Sequence, residues 1–436
     1  MVFGTTILGS NPSAPANTMI KITSTNIFKS LKSKLFPFYK SKEIKMIFNI
    51  LKKDETKNNV AMFVGGCVRK FLKNQEIDDI DIATIFSPEE IKKKFENTDI
   101  KVIDTGIEHG TVTLILNNSK FEITTLRKDL KTDGRHAEVA YSDNWREDSN
   151  RRDFTINAIY INENGKIFDP QLGVKDLKNN LVKFIGDPLQ RIEEDYLRIL
   201  RFIRFVLEYG STTEKTTLNA IKLNLIGIKK ISKERILSEL FKFLKIKQLT
   251  NLIKNKELFE IFIKIFPEFK YLPRLEKSEK INTLDIDKEL LISIILVDET
   301  NNHEYFCHKY AVSNVLKKKL EINAKLYKEY LKNNFLFKKE LKKSVFLYDK
   351  ENIKNLNLLL FFVGKLKYNE YLNYKNLIDK INVPKFPYDG NYLIKKGVEE
   401  GKAIGRTLKK IKHHWLENNF EIREEELEKI IINSKN

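Results

Sequence analysis

The sequence predicts an α+β protein in which a small mixed β-sheet is followed by a long all-α region. Two patterns along the 436 residues support this prediction. Between Val60 and Arg127, apolar residues form short runs or alternate with polar residues, as in strands. After about Lys178, apolar residues recur at spacings of three and four with few glycines, which indicates amphipathic helices. The chain is too long for one ordinary domain, so roughly two to four domains are expected.

The N-terminal segment is poor in acidic residues. Residues 1–42 contain six Lys but no Asp or Glu. We expect this segment to be a disordered extension or the product of a mis-assigned start, since Met19 and Met46 also occur. A cytoplasmic location is predicted, and an organelle matrix is the alternative if the segment is a transit peptide.

Five short segments are predicted as strands of the mixed sheet. They are residues 60–64, 79–84, 102–103, 111–116 and 121–126. After the second segment, Ser87 precedes Pro88 and stands three residues before Glu90, which is a helix-start signature. We therefore expect a small mixed sheet that carries helices on one face.

Basic side chains outnumber acidic ones. The chain has 78 Lys and Arg against 59 Asp and Glu, a formal charge of +19. This balance favours a polyanionic partner, and nucleic acid is the leading candidate. An A/T-rich coding sequence would explain the preference for Lys over Arg, but it would not explain the deficit of acids.

Two further features restrict the class of protein. No apolar run approaches the roughly 20 residues of a membrane-spanning helix, so no membrane partner is expected. Cys67 and Cys307 lie far apart in the sequence and fit neither a disulfide framework nor a zinc-binding cluster. These cysteines favour a reducing compartment.

Asp79 and Asp81 are candidate metal ligands. They stand two residues apart on a predicted strand, so both carboxylates project from the same face of the sheet. Paired carboxylates suit two Mg²⁺ ions, which can activate a hydroxyl and neutralise a departing pyrophosphate. The same Asp-x-Asp spacing is also common at exposed strand ends that bind no metal.

A glycine pair at a strand-to-helix turn is a candidate phosphate site. Gly65 and Gly66 allow the backbone to come close to a phosphate, and Arg69 would add a charge-assisted contact. An ordinary strand-to-helix turn is the alternative. The spacing to Asp79 suits a helix and a returning strand, so the two sites are expected to be neighbours.

Two later stretches combine arginines with acids. Residues 151–158 read Arg-Arg-Asp-Phe-Thr-Ile-Asn-Ala, and we expect a helix that opens at Arg151. Such a helix would place Asp153 and Asn157 on one face. Residues 189–208 form a second predicted helix, on which Asp195 and three arginines follow at steps of three: Arg198, Arg201 and Arg204.

Together these motifs resemble the class II tRNA nucleotidyltransferase and bacterial poly(A) polymerase family, within the polymerase-beta-like nucleotidyltransferase superfamily. The resemblance implies that Asp79 and Asp81 bind the catalytic Mg²⁺ ions and that Gly66 and Arg69 contact the nucleotide. Two roles stay open for Glu122. It is either a third catalytic carboxylate that assists the metal pair or the attacking 3′-hydroxyl, or a structural partner of Arg127 or another basic residue. The chain departs from the family at Lys70, where Asp is usual.

The resemblance also assigns roles to the arginine-rich stretches. It implies that Arg152 contacts the nucleotide and that Asp153 and Asn157 order its ribose. Asp195 and Arg198 would pair with the edges of C and A as an amino-acid template. The motif at residues 234–240 is expected to buttress the template helix, or to hold a simple i,i+4 ion pair. The last predicted nucleotide or phosphate contacts are Arg201 and Arg204.

The resemblance divides the chain into four parts. We expect the extension at 1–42, a nucleotidyltransferase head at 43–178, a nucleotide-selecting neck at 179–246 and a helical, RNA-binding body and tail at 247–436. Polar residues 128–150 resemble the family's flexible loop. In the tail, glycines four residues apart at 397, 401 and 405 would either line one helix face or cap short helices; structural packing and tRNA contact are both open.

The implied activity is template-independent addition of C, C and A to the 3′ end of tRNA from CTP and ATP. Poly(A) polymerase, or a specialised CC-adding or A-adding enzyme, is the alternative, because these enzymes share the head motifs. The Asp-Gly-Arg-His segment at 133–136 and the glycine-spaced tail favour CCA addition. The sequence predicts no oligomeric state.

Overall fold

A computed structural model describes residues 37–57, 59–133, 136–210, 213–246, 249–333 and 340–434. The chain divides into two compact units, one that ends at Glu194 and one that begins at Asp195. The predicted division into four parts stays a prediction. Most of the predicted extension, residues 1–36, lies outside the described residues.

In the described part of the first unit there are nine strands. They are β1 (Ala61–Val64), β2 (Ile80–Thr84), β3 (Lys101–Gly106), β4 (Thr111–Leu116), β5 (Ser119–Thr125), β6 (Arg127–Asp133), β7 (His136–Tyr141), β8 (Tyr160–Ile161) and β9 (Ile167–Phe168). Seven of them form one sheet in the order β3-β4-β5-β2-β1-β8-β9. β2 and β5 pair in parallel and the other neighbours are antiparallel, so the predicted mixed sheet is confirmed.

Among the residues that the structure describes, six α-helices accompany this sheet. They are α1 (Lys42–Lys52), α2 (Gly66–Leu72), α3 (Pro88–Phe95), α4 (Trp145–Arg151), α5 (Gly173–Lys178) and α6 (Pro188–Glu194). α3 begins as predicted, because Ser87 and Glu90 form a reciprocal capping box. Before α1, the Phe38 ring packs against Phe63 and Phe71. Residues 37–42 therefore belong to the folded unit and not to the predicted extension.

Helices cover both faces of the sheet, so the prediction of helices on one face is wrong. Phe63 packs against Phe48 of α1. Its neighbours Met62 and Val64 point to the opposite face, where Trp145 of α4 packs against their cluster. Every residue of β1 is buried, and a fully buried strand has no polar face that would reveal a second helix layer.

The predicted loop at residues 128–150 is also wrong over most of its length. β6 and β7 form a separate antiparallel hairpin, and α4 follows after a short turn. Gly134 and Arg135 of the predicted loop motif lie outside the described residues. Backbone hydrogen bonds form a hairpin whatever the polarity of its side chains, so a polar composition did not reveal it.

The second unit is helical, as predicted. Its helices are α7 (Leu197–Tyr209), α8 (Lys215–Asn224), α9 (Lys233–Leu244), α10 (Asn251–Lys254), α11 (Lys256–Ile265), α12 (Lys288–Leu296), α13 (Asn302–Tyr310), α14 (Asn314–Lys332), α15 (Leu341–Tyr348), α16 (Lys350–Val363), α17 (Tyr368–Lys380), α18 (Gly390–Lys395), α19 (Lys402–Glu417) and α20 (Glu424–Ile432). Across the described residues, none of the helices has the length and apolar character needed to cross a membrane.

The tail glycines do not form a continuous stripe on one helix. Gly397 and Gly401 have φ angles of +79° and +111°, a region that favours glycine, and they lie in the turns around α18 and α19. The capping alternative is therefore confirmed at these two positions. Gly405 lies inside α19, and a Cβ atom added there would have no neighbour within 4 Å.

Gly227 allows a close contact next to the predicted template motif. It is buried, and an added Cβ would lie 2.1 Å from two carbon atoms of the Tyr196 ring. We predict that Gly227→Ala destabilises the protein by about 1–3 kcal/mol, because a packed ring and backbone must move apart. Chemical denaturation monitored by circular dichroism would measure the change.

The matched control is Gly405→Ala, in open space on α19. This replacement should stabilise the protein by about 0.5–1 kcal/mol, because alanine is the better helix former. Equal or greater stability of Gly227→Ala compared with wild type would contradict the packing argument.

Candidate active site

Three carboxylates lie near one another at the paired strands β2 and β5. Asp81 of β2 is the register partner of Glu122 on β5, so the two side chains project from the same face. Asp79 lies one residue before β2. Burial and the negative charge of Glu122 raise the pKa of the Asp81 carboxyl, and the charge of Asp79 adds to this shift. The structure therefore brings the predicted metal ligands and Glu122 together.

The glycine turn packs directly against Asp81. Gly65 has a φ of +76°, and a Cβ atom added there would lie 3.1 Å from Asp81 Oδ2. The backbone N–H of Gly66 donates a hydrogen bond to the Asp81 carboxylate, which lowers its pKa and partly offsets the effect of burial. The predicted phosphate turn and the predicted metal ligands are thus neighbours, as the spacing predicted.

Arg69 connects this turn to the motif at residues 151–158. Its Nη1 donates a hydrogen bond to Asn157 Oδ1, and Asn157 Nδ2 donates to Asp153 Oδ1 at 2.6 Å. The positive charge of Arg69 also lowers the pKa of Asp81. Asp153 and Asn157 are both buried. The two motifs therefore form one connected cluster.

The prediction that a helix begins at Arg151 is wrong. α4 ends at Arg151, and the residues that follow form a short 3-10 turn at Thr155–Asn157. Asp153 and Asn157 nevertheless meet, because this turn brings their side chains into hydrogen-bond contact. The charged and polar stretch before Arg151 did not resemble an amphipathic helix.

Arg152 is held by a buried network that the sequence reasoning missed. Asp148 is 1% exposed, and its Oδ2 lies 2.9 Å from Arg152 Nη2 and 2.7 Å from the Tyr160 hydroxyl. Arg151 Nη2 contacts the other carboxylate oxygen at 2.6 Å. Burial opposes ionisation of Asp148, but Arg152 and Arg151 hold the pKa of this carboxyl well below its usual range.

A signal for this network was present in the sequence. Asp148 precedes Arg151 and Arg152 by three and four residues, the spacings at which helical side chains meet. The spacing alone does not distinguish a solvated ion pair from a buried one. The Arg152 guanidinium also lies 5.3 Å from the centroid of the Tyr160 ring.

Lys70, the departure from the family pattern, forms an ion pair with Asp78. The hydrogen bond from Lys70 lowers the pKa of the Asp78 carboxyl.

Arg127, a candidate partner for Glu122, donates from its guanidinium to the carbonyl of His109 at 2.9 Å. The role of Glu122 stays a prediction.

The second unit begins with the predicted template motif. The long helix predicted for residues 189–208 is interrupted, because α6 ends at Glu194 and α7 begins at Leu197. Asp195 lies in this break, where its Oδ1 accepts a hydrogen bond from the Leu197 N–H at 3.1 Å. The break contains neither Gly nor Pro, and the periodic apolar pattern continues through it, so no local signal in the sequence indicates a break. Arg198 lies in the first turn of α7.

α9 contacts the predicted template motif through two ion pairs. Arg235 Nη2 lies 2.7 Å from Asp195 Oδ2, and Arg204 Nε lies 2.5 Å from Glu239 Oε1. Burial disfavours ionisation of Glu239, but the charge of Arg204 lowers its pKa below the ordinary value. The predicted buttress is therefore confirmed, and the alternative of an i,i+4 pair within the motif is wrong.

The four predicted nucleotide contacts at steps of three have different surroundings; they are Asp195, Arg198, Arg201 and Arg204. Arg204 also contacts Glu208 at 3.2 Å, so its guanidinium is bound by two carboxylates. The Arg201 guanidinium lies 5.5 Å from the centroid of the Phe205 ring. Asp195 lies in the break before α7, Arg198 lies in the first turn of α7, and Arg204 lies in its middle.

The carboxylate cluster has the chemistry of a divalent-metal site. Asp79, Asp81 and Glu122 offer hard oxygen ligands, and the raised pKa of Asp81 is the effect that a bound cation would reverse. Among the described residues, no group of three or more His, Cys, Asp and Glu side chains is placed so that it could hold a metal ion by itself. Mg²⁺ is usually bound by one or two carboxylates together with substrate phosphates.

Comparisons with known proteins agree with these motifs. Residues 61–183 match the family model described as the Poly A polymerase head domain. The chain is 30% identical to a CCA tRNA nucleotidyltransferase 1, mitochondrial, from Danio rerio, over 89% of this chain and 92% of that protein. It is 32% identical to a CCA-adding enzyme from Lactobacillus helveticus, over 85% and 92% of the two chains.

Solved structures show the same fold. The Bacillus stearothermophilus CCA-adding enzyme in complex with CTP matches with a TM-score of 0.71 at 23% identity, over 89% of this chain and 95% of that one. The Thermotoga maritima CCA-adding enzyme complexed with tRNA matches with a TM-score of 0.62 at 22% identity, over 92% and 98%. With the sequence similarity to the curated relatives over most of both lengths, these findings show that the chain is a nucleotidyltransferase that belongs to the family of CCA-adding tRNA nucleotidyltransferases.

Proposed function

We propose that this protein adds C, C and A to the 3′ end of tRNA, using CTP and ATP and releasing pyrophosphate. The observation that carries the proposal is the carboxylate cluster of Asp79, Asp81 and Glu122 beside the Gly65–Gly66 turn. Similarity over most of the chain to relatives named as CCA-adding enzymes favours this activity over others that share the head.

Nucleotidyltransferases of this family use divalent metal ions, and we propose Mg²⁺ for this protein. Asp79 and Asp81 would hold it, and Glu122 is the proposed third catalytic carboxylate. When bound, Mg²⁺ supplies activation of the attacking hydroxyl and neutralisation of the leaving pyrophosphate. The tRNA 3′-hydroxyl attacks the α-phosphate in line, and positioning with charge stabilisation accounts for most of the rate gain.

The head residues around this cluster would bind the nucleotide. The Gly66 N–H donates a hydrogen bond to the Asp81 carboxylate, and Arg69 donates one to the Asn157 side chain. Both residues therefore lie beside the proposed reaction site. Arg152 is bound to Asp148, so its proposed contact with the nucleotide would be made by a guanidinium held in one orientation. Asp153 and Asn157 bind each other, and we propose that this pair orders the ribose.

Asp195 and Arg198 would select the base. Asp195 can accept a hydrogen bond from the exocyclic amino group of C or A, and Arg198 can donate to ring and carbonyl acceptors. A mismatched base would leave buried hydrogen-bonding groups unpaired, which is a strong basis for discrimination. Arg201 is proposed as a further nucleotide contact. Arg204, which binds two carboxylates, would contact the nucleotide only if one of these pairs opened.

Exposed basic side chains favour tRNA as the polyanionic partner. Lys409 and Lys410 are exposed on α19, and within the described residues no acidic side chain pairs with them. Lys317 and Lys319 of α14 instead face acids, with Lys319 Nζ 2.8 Å from Asp287 Oδ2. Lys338 and Lys339 form a third basic segment of the sequence, and they lie outside the described residues.

The cellular location stays a prediction. Relatives from Danio rerio and Homo sapiens carry the word mitochondrial in their names, whereas the bacterial relatives do not. We propose a cytoplasmic location, with an organelle matrix as the alternative.

The product of the reaction tests the proposed function. We predict that tRNA lacking its last three nucleotides gains two C residues with CTP alone and one further A when ATP is added. Denaturing gel electrophoresis and sequencing of the 3′ end would measure this. A long A tail would instead show that the protein is a poly(A) polymerase. A product that stops after CC, or addition of A alone to tRNA ending in CC, would indicate a specialised enzyme.

Removal of the Asp81 charge should abolish activity without loss of stability. We predict that Asp81→Asn lowers nucleotide incorporation at least about a hundredfold, because charge stabilisation by a bound divalent ion is worth several kcal/mol. Folding raises the pKa of Asp81, so stability is lost as pH rises from the ordinary Asp range through the raised pKa. At neutral pH the unliganded variant should therefore unfold at an equal or higher temperature than wild type.

Incorporation of CTP and calorimetry of the metal-free protein would measure both effects. Asp104→Asn is the matched control, since Asp104 is on the same sheet and pairs with the partly exposed Lys92. Undiminished incorporation by Asp81→Asn would refute the metal assignment. Loss of folding in this variant, but not in the control, would refute the stability argument.

Neutralisation of the unpaired lysines should weaken tRNA binding. We predict that Lys409→Gln with Lys410→Gln lowers tRNA affinity several-fold and reduces the slope of log affinity against log salt by about one to two. Lys317→Gln with Lys319→Gln is the control with equal charge change, and it should have a smaller effect because these lysines already face acids. Filter binding across salt concentrations would measure both, and equal losses would contradict the assignment.

A further inference from the structure

Arg191 of α6 connects three groups in the first unit. Its Nη2 atom donates to the carbonyl oxygen of Arg151 at 2.6 Å and to that of Arg152 at 2.7 Å. Its Nη1 atom donates to Glu194 Oε2 at 2.5 Å. The Arg191 side chain is only 11% exposed and that of Glu194 is 18% exposed. One guanidinium therefore bridges two backbone carbonyls and a carboxylate.

The two carbonyls lie where α4 ends. The last carbonyls of a helix have no partner within the helix, and a cation near this end interacts favourably with the helix dipole. Arg191 supplies both the donor and the charge. The side chains of the same two residues, Arg151 and Arg152, are held by Asp148. Backbone and side chains of the arginine pair are thus fixed by separate interactions.

Glu194 is the last residue of α6, and the next peptide bond leads to Asp195. The chain before α6 also pairs, through backbone hydrogen bonds, with the arginine motif, residues 151–158. The Thr155 N–H donates to the Lys183 carbonyl at 3.0 Å, and the Ile185 N–H donates to the Asp153 carbonyl at 3.1 Å. Arg191 adds a side-chain anchor to this backbone pairing at the point where the chain leaves the first unit.

We propose that Arg191 is a positioning residue for nucleotide selection. It fixes Glu194 relative to the Arg151–Arg152 peptide segment, and so determines where the chain that continues to Asp195 departs from the proposed nucleotide-binding motif. This inference rests on the proposed function. The role requires the planar fork of arginine, because a lysine ammonium is a compact point charge that does not match this geometry.

The test is the effect of Arg191→Lys on discrimination between CTP and UTP. We expect the ratio of kcat/KM for the two nucleotides to fall about tenfold, a size typical of residues coupled through direct contact. The KM for CTP should rise more than kcat falls. Arg146→Lys makes the same chemical change at an exposed position on α4 and should leave the ratio unchanged.

Glu194→Gln provides a second, independent variant. If Arg191 acts through Glu194, this variant should also lower the ratio, and the double variant should lose no more than the larger single loss. A lower unfolding temperature with unchanged discrimination in both single variants would show a merely structural role and overturn the inference. If Arg191→Lys does not fold, unchanged discrimination in Glu194→Gln overturns it.

Failure of this inference and failure of the proposed function give different results. Wild-type protein that adds neither C nor A to tRNA refutes the proposed function, and the inference with it. Wild-type protein that adds CCA, alongside variants that discriminate as well as wild type, refutes the inference alone.

Discussion

The parallel pairing of β2 with β5 is the constraint on which the proposed reaction site depends. This register places Asp81 beside Glu122, and Asp79 adds a third negative charge nearby. Three carboxylates close together repel one another, and Asp81 is half-buried. Their surroundings must therefore supply positive charge and hydrogen-bond donors. The Gly66 N–H and Arg69 provide part of this compensation. The remaining negative charge is what makes the position suitable for a cation.

The arginine motif illustrates a second use of charge. Asp148 is almost fully buried, and burial of a single ion is costly unless it is paired and hydrogen-bonded. Arg151, Arg152 and Tyr160 meet that requirement together. A guanidinium held in this way keeps one orientation, which is valuable in a site that depends on positioning more than on covalent chemistry. The motif is thus a small rigid structure as well as a set of candidate nucleotide contacts.

Sequence reasoning was most accurate where local signals decide the structure. The capping residues Ser87 and Glu90 predicted the start of a helix correctly, because a capping box depends on residues three positions apart. It was least accurate where tertiary contacts override local pattern. The break at Asp195 contains no helix-breaking residue, yet Arg235 of α9 and the Leu197 N–H hold its carboxylate outside the helix. Asp148 was missed because spacing does not reveal burial.

The sequence by itself determined the family and the types of residue available for catalysis, because short motifs carry that information in their order and spacing. It also determined the mixed sheet and the helical second part, because strands and helices have different apolar periods. Only the tertiary structure decided which of these residues meet. The Asp81–Glu122 register and the Arg69–Asn157 contact join residues that are distant in the sequence. The same is true of the two bonds from Arg191 to the carbonyls of Arg151 and Arg152. The residues in these contacts lie 39 to 88 positions apart. Such contacts depend on how strands pair and helices pack, which no local pattern specifies.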